Sequence, residues 1–353
     1  MVSFAGHAGW YSVTTSTRYN VNKGTRQVYE RDGSMERTIS IKEVDKVEIL
    51  SLQDNYIDVA SQDNSAIVKR ATPMLNGEIK NSIQAEHGFS AIVTITTGTS
   101  KRTMLFDFGF SPLGAAYNAK ALDVPMREVE VMALSHGHSD HFGGIAELTR
   151  MIGRPGIQLI LHPGAFIYPR YLKPTPSFKM GFPRLIREDL ERQAIEIVET
   201  VEPYPLLDDH VLFLGEIERT SDFEKGFPIA YRQRDGREEG DPIEDDTAIA
   251  VNVRGKGLLV LSGCSHSGIV NTVEYARKVT GIEKVHAVMG GFHLAGPLFE
   301  PIIEATTEAM KKIDPDYIIP CHCTGRKAVM YMEKEMPDRF IFNMSGTKLT
   351  FSA

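Results

Sequence analysis

The segment Ser135-His136-Gly137-His138-Ser139-Asp140-His141 places three imidazoles and one carboxylate within six residues. Neutral imidazole nitrogen and carboxylate oxygen are the donors preferred by zinc, iron and manganese, so this density implies a divalent cation rather than a solvated polar loop. In an extended segment the alternate residues His136 and His138 share one face, and Asp140 and His141 then turn elsewhere. Three later histidines repeat the layout of an apolar run, a few small residues and an imidazole. His266 follows Val260-Leu261-Ser262-Gly263-Cys264-Ser265, His293 follows Val288-Met289-Gly290-Gly291-Phe292, and His322 follows Ile318-Ile319-Pro320-Cys321. One histidine after one strand is ordinarily a structural residue. Four such endings point to a crevice at the carboxyl ends of strands, where side chains distant in sequence converge.

The elements that would carry these endings alternate. Apolar runs predict strands at 47–52, 90–97, 104–108 and 129–134, then a helix over 143–151. The second half predicts strands at 248–253, 258–261, 285–289, 317–320 and 340–344, with helices over 269–279, 301–313 and 327–336. This is an α/β pattern. Residues 1–45 are polar and aperiodic, reading as an extended arm that packs on something, a second subunit of a homo-oligomer being one option. Residues 46–353 form the main domain, and the irregular stretch at about 163–246 reads as an insertion over one edge. Gly137, Gly143 and Gly144 let the histidine loop bend and the helix begin close to the site.

His-x-His-x-Asp-His is the signature of the metallo-β-lactamase superfamily, which the chain resembles. The resemblance implies an αββα sandwich with one or two divalent ions, zinc first and iron or manganese as alternatives. It implies His136 and His138 on the first ion of a dinuclear site, Asp140 and His141 on the second, a further ligand at Cys264 and a final one at His322. A nearer likeness is to the subfamily named for 7,8-dihydropterin-6-ylmethyl-4-(β-D-ribofuranosyl)aminobenzene 5′-phosphate synthase, through Ala85-Glu86-His87-Gly88-Phe89-Ser90, Leu105-Phe106-Asp107-Phe108-Gly109, Gly263-Cys264-Ser265-His266-Ser267-Gly268, Gly291-Phe292-His293-Leu294 and Pro320-Cys321-His322-Cys323-Thr324-Gly325. It spans about residues 47–346.

The wider family's third histidine for the first ion, in a Gly-His-Thr context, is missing. Only His162 and His210 lie in that interval. His266 is the better substitute, because an extended 263–266 would project Cys264 and His266 to one side. His293 is the remaining candidate for that ligand, though its separate strand end also suits a substrate-facing acid. The same alternation turns Cys321 and Cys323 away from the side of His322, as buried structural thiols. Asp107 reads either as the acceptor of the outer ring N–H of a ligating histidine or as a helix or turn cap. His87 reads as structural or supporting, and His286 and His7 carry no assignment.

The expected activity is that of a metal-dependent hydrolase using a metal-bound hydroxide, with Asp140 orienting it and His293 protonating the leaving group. In the insertion, Arg170 and Lys173 lie among Tyr168, Tyr171, Phe178 and Phe182, which suggests an anionic, ring-bearing small molecule such as a phosphoester, an ordinary solvated face being the other reading. Two other readings stand: a bond-forming synthase or iron-dependent redox enzyme on the same scaffold, and a binding protein without turnover. Thirty-nine basic against forty-six acidic residues, a net charge of −7, argue against nucleic acid as a partner. No apolar run approaches the roughly 20 residues of a membrane span. With no secretion signal read at the start and only three cysteines, the expected location is cytoplasmic.

Overall fold

The computed structural model describes residues 25–29, 35–72, 74–75, 77–79 and 82–353. Two β-sheets face each other. In spatial order the first runs Glu196–Glu199, Gln158–Leu161, Val129–Ala133, Ser100–Phe106, Ser90–Thr97, Lys46–Gln53, Lys348–Ser352, Val68–Lys69. The second runs Tyr204–Leu206, Val211–Phe213, Ala248–Val253, Gly257–Ser262, Val285–Gly291, Tyr317–Cys321, with Glu43–Val44 paired to Ala248–Val253 in parallel.

Period-two alternation decides which side chains meet. Ala91, Val93 and Ile95 face inward against Leu259, Leu261, Ala287 and Met289 of the other sheet. On the same strands Ile92 faces out toward helices Gly114–Ala121 and Ile145–Ile152, and Leu258 and Val260 face out toward helices Ile269–Thr280, Ile303–Ile313 and Arg326–Glu335. Each sheet thus carries helices on its outer face, which is the αββα sandwich.

Several expectations are corrected. Residues 340–344 form no strand beyond a single bridge between Ile318 and Phe340, and the last strand is Lys348–Ser352. The stretch 163–246 is not one insertion. Arg170–Thr175, Phe178–Gly181, Ala230–Arg234 and Arg237–Gly240 make a separate four-stranded sheet, but the residues between them return to the sandwich: Glu196–Glu199 extends the first sheet, and Tyr204–Leu206 with Val211–Phe213 extends the second. Of the arm, residues 1–24 and 30–34, His7 included, lie outside the described residues. Thr25–Tyr29 and Met35–Ile39 form a hairpin, and Ile41 is buried in the core of the same chain. Among the described residues no helix is long and apolar enough to cross a membrane.

Candidate metal centre

Strand ends from both sheets meet along one edge. Val129–Ala133 delivers residues 135–141, Gly257–Ser262 delivers Cys264 and His266, Val285–Gly291 delivers His293, and Tyr317–Cys321 delivers His322. The donor atoms fall into overlapping groups whose members all lie within 4.8 Å of one another: His136, His138 and His266; Asp140, His141, Cys264 and His322; and Cys264, His266 and His293. His136 Nε2 is 3.0 Å from His138 Nδ1 and 3.2 Å from His266 Nε2. His141 Nε2 is 3.1 Å from Cys264 Sγ, and Asp140 Oδ2 is 3.3 Å from His322 Nε2. The first two groups adjoin, since the rings of His136 and His141 are 4.3 Å apart.

The third histidine of the first group is therefore His266. His162 lies elsewhere, its Nδ1 accepting the Gly164 N–H and its Nε2 3.6 Å from Glu216, and the Nδ1 of His210 is turned to the Leu207 carbonyl at 2.9 Å. The route by which His266 arrives differs from the one expected. Ser265 has φ 53°, so residues 263–266 turn instead of running straight, and the turn still brings both Cys264 and His266 to the cluster. Cys323 is also corrected: a short 3-10 turn over His322–Thr324 carries its Sγ to 3.4 Å from the Cys264 carbonyl oxygen, beside the site.

Four non-glycine residues at these strand ends have left-handed backbones, namely Asp107, Ser265, His293 and His322. Such conformations cost roughly 1–3 kcal/mol each and persist where the surroundings over-determine them, commonly at functional sites. Close approach explains the glycines of the loop. A Cβ on Gly143 would lie 1.7 Å from the Phe110 carbonyl oxygen, and one on Gly137 2.3 Å from that of Ala165.

Burial lowers the proton affinity of the imidazoles, pushing His138 down to about 3 and His136 and His266 well below the ordinary value. They are neutral at pH 7, the state in which imidazole donates a lone pair. His141 departs from this pattern: burial opposes its charge, but Asp107 and Asp140 outweigh burial and raise it to about 9. Burial pushes the Asp140 carboxyl up, yet His141 and His322 hold it well below the usual carboxylate range. Burial also raises the Cys264 thiol. His266 Nδ1 and His293 Nδ1 are buried without a hydrogen-bond partner.

The supporting residues are as specific as the donors. Asp107 Oδ2 accepts from His141 Nδ1 at 2.6 Å and from the Ser135 hydroxyl at 2.7 Å, while its Oδ1 accepts the Ser135 N–H at 2.7 Å. Asp245 Oδ2 accepts the Gly137 N–H at 2.8 Å, holding the backbone between His136 and His138. Phe182 stacks on the His138 ring at 4.2 Å, and Phe227 contacts both His266 and His293.

Arg170 and Lys173 do not serve as the expected anion contacts. Arg170 is 2% exposed and engaged by Asp241 through Nε at 2.8 Å and by Asp245 through both terminal nitrogens. Lys173 pairs with Glu238 and lies over the Tyr231 ring at 4.7 Å. Asp245 carries no expectation from the sequence, and Phe182, expected only as one of the insertion's aromatics, stacks on a histidine of the cluster. His87 turns out to lie at the mouth of the cluster, its Nε2 3.4 Å from Asp140 Oδ2 and its side chain 62% exposed.

Comparison with known proteins places the fold. The sequence model of the metallo-beta-lactamase superfamily matches residues 86–277. The chain is 34% identical over 258 residues, 72% of its length and 86% of the relative's, to a Methanocaldococcus jannaschii protein named 7,8-dihydropterin-6-methyl-4-(beta-D-ribofuranosyl)-aminobenzene-5'-phosphate synthase. It is 32% identical over 69% of its length, and 86% of the relative's, to an uncharacterized protein of the same organism. A solved structure described as a metal-dependent hydrolase of the beta-lactamase superfamily superposes with a TM-score of 0.65 at 24% identity, covering 87% of this chain and all of that one. With the sandwich, the histidine loop and these matches in agreement, the chain belongs to the metallo-β-lactamase superfamily.

Proposed function

We propose that the chain is a metal-dependent hydrolase acting on a phosphoester or another anionic small molecule, with two divalent ions in adjoining positions. The observation that carries this reading is the pair of donor groups, His136–His138–His266 and Asp140–His141–Cys264–His322, each within 4.8 Å internally and adjoining through the His136 and His141 rings. The donors fit such ions. Imidazole, carboxylate and thiolate together suit zinc, and a buried nitrogen without a hydrogen-bond partner that faces the donor group, His322 Nε2, suits a site built for a ligand. When bound, the ions supply Lewis acidity and bring the pKa of water to around 7.

The remaining work falls to the chain itself. The Asp140 carboxylate is ionised and reaches the mouth of the cluster, where it can orient the attacking water and accept its hydrogen bond. His293, held between Phe227 and Phe299 with Nδ1 unpartnered, is the candidate proton donor to the leaving group. His87, on the solvent side of Asp140, offers a second proton route. With Arg170 and Lys173 engaged elsewhere, attraction for an anion rests on the ions, and the phosphate in the name of the 34% identical relative supports that substrate class.

That same relative favours a second reading, a synthase-type bond-forming reaction. Elemental analysis of protein purified without chelator, with a panel of phosphodiester, phosphomonoester and lactone substrates, separates the two. Zinc with hydrolysis of one class is the expected result. Metal without hydrolysis of any class would favour the bond-forming reading, bound iron with visible absorbance would favour redox work, and absence of metal and of metal uptake would overturn both.

A further inference from the structure

His322 has φ 49°, and the groups that hold it there come from the opposite end of the chain. Asp54 and Asn55 follow the strand Lys46–Gln53, and Asp54 is fully buried. Asp54 Oδ1 accepts the His322 backbone N–H at 2.9 Å. Asn55 Nδ2 donates to the His322 carbonyl oxygen at 2.9 Å, and Asn55 Oδ1 lies 3.3 Å from His322 Nδ1. Asp54 is itself anchored: its Oδ2 accepts from Asn343 Nδ2 at 2.7 Å, its Oδ1 also accepts the Asn55 N–H at 2.7 Å, and its backbone N–H donates to Ser345 Oγ at 2.9 Å. Every polar group of His322 except Nε2 is therefore matched by this dipeptide. Nε2 alone is turned toward Asp140, in the second donor group.

We infer that Asp54-Asn55 is a positioning clamp for His322. The carboxylate stabilises the left-handed backbone, and the Asn55 carbonyl oxygen accepts the Nδ1–H, which fixes the tautomer whose Nε2 lone pair faces the second ion. The inference rests on the proposed metal centre and adds residues that lie outside every histidine motif. The outer partner of a ligating imidazole sets ring angle and basicity, and losing it typically weakens metal affinity 10- to 100-fold.

The test titrates metal-free protein with zinc against a chromophoric chelator, and with cobalt to follow the thiolate-to-metal absorption of Cys264. Wild type is compared with Asn55→Ala and Asn55→Asp. Asn55→Asp keeps an oxygen opposite Nδ1, so it should bind both ions within a few-fold of wild type, whereas Asn55→Ala should bind one of the two about 10- to 100-fold more weakly. Equal affinities in Asn55→Ala and wild type, or equal losses in both variants, would overturn the clamp. Nitrogen-15 NMR of the wild-type His322 ring provides a readout that needs no variant: a proton on Nδ1 is expected, and a proton on Nε2 overturns the inference. If wild type takes up no ion, the metal centre itself fails, and the tautomer still decides the clamp.

Discussion

Arg170→Met tests whether the four-stranded sheet outside the sandwich stabilises the histidine loop. Arg170 is buried and faces two carboxylates. Without it Asp241 keeps the Ile243 N–H at 3.0 Å and Arg232 at 3.8 Å, but Asp245 keeps only the Gly137 N–H. Removing one member of a buried ion pair costs about 3–5 kcal/mol, because the charge left behind has lost its solvation and its partner. At about 2.1 cal/mol/K of unfolding entropy per residue, a chain of this length loses roughly 4–7 °C in melting temperature. The pH dependence has a definite sign. In the wild type burial pushes the Asp245 carboxyl up, but Arg170 outweighs burial and holds it well below the usual range, so its contribution is present above the unfolded value near 4 and is lost only in acid. In the variant, burial raises that carboxyl with Arg170 gone and only the weaker Gly137 N–H and His138 opposing it, so the deficit should grow between pH 5 and pH 8. The assay is differential scanning calorimetry of metal-free protein at both pH values, with Arg170→Met/Asp245→Asn as the double variant, which should recover much of the loss, and Lys173→Met as a control within about 1 kcal/mol. A single variant that melts within 1 °C of wild type, or a deficit that does not change with pH, would refute the reasoning.

Asp107→Ala strands the Nδ1–H of His141 and should weaken binding of one ion about 10- to 100-fold in a chelator competition, with Asp107→Asn intermediate because it keeps an acceptor but no charge. His293→Ala should lower kcat by roughly 10²- to 10⁴-fold on whichever substrate is turned over while both ions stay bound, whereas loss of an ion by elemental analysis would make His293 a ligand, as its group with Cys264 and His266 allows. Glu224, nearly buried at the start of helix Ile269–Thr280, accepts the Val270 and Asn271 N–H groups at 2.9 Å, and burial raises its carboxyl from 4.5 to about 7. A raised acid binds its proton more tightly when folded, so wild-type stability should fall by up to about 3 kcal/mol as pH rises from 4.5 to 7, and Glu224→Gln should flatten that slope in urea unfolding.

Strands with one face in each apolar layer were legible because alternation and length agree. Ser90–Thr97 and Ala248–Val253 lie at the residues where period two begins and ends. The strand Lys348–Ser352 escaped because only Leu349 and Phe351 are fully buried in it, too few turns of the pattern to stand out. The supposed insertion misled for a related reason. Glu196–Glu199, Tyr204–Leu206 and Val211–Phe213 are edge or near-edge strands of three or four residues; the first and third join their sheets through Gln158–Leu161 and Ala248–Val253, well over thirty residues away, and the second joins only through the third.

At the site, the histidine loop was legible because its donors are adjacent, the strand-end layout singled out His266, His293 and His322, and the family resemblance added Cys264; the structure brings all four to one edge. The same layout applied to Lys46–Gln53 would have found Asp54 and Asn55, since they too stand just past a strand on the shared edge. Neither stands out in the sequence because neither is a histidine, although backbone N–H and ring Nδ1–H both need an acceptor. Arg170 shows the opposite error. A cation among aromatics suggests a ligand only while its counterions are unknown, and Asp241 and Asp245 lie about seventy residues on, where no spacing rule reaches. Both errors share one cause: a motif reports the atoms that face the reaction, whereas the acceptors that hold those atoms are chosen by the fold and are visible only once strand ends are laid side by side. It follows that the residues most informative to change next are Asp54, Asn55, Asp107 and Asp245, each of which touches the histidine segments from outside through a carboxylate or amide oxygen.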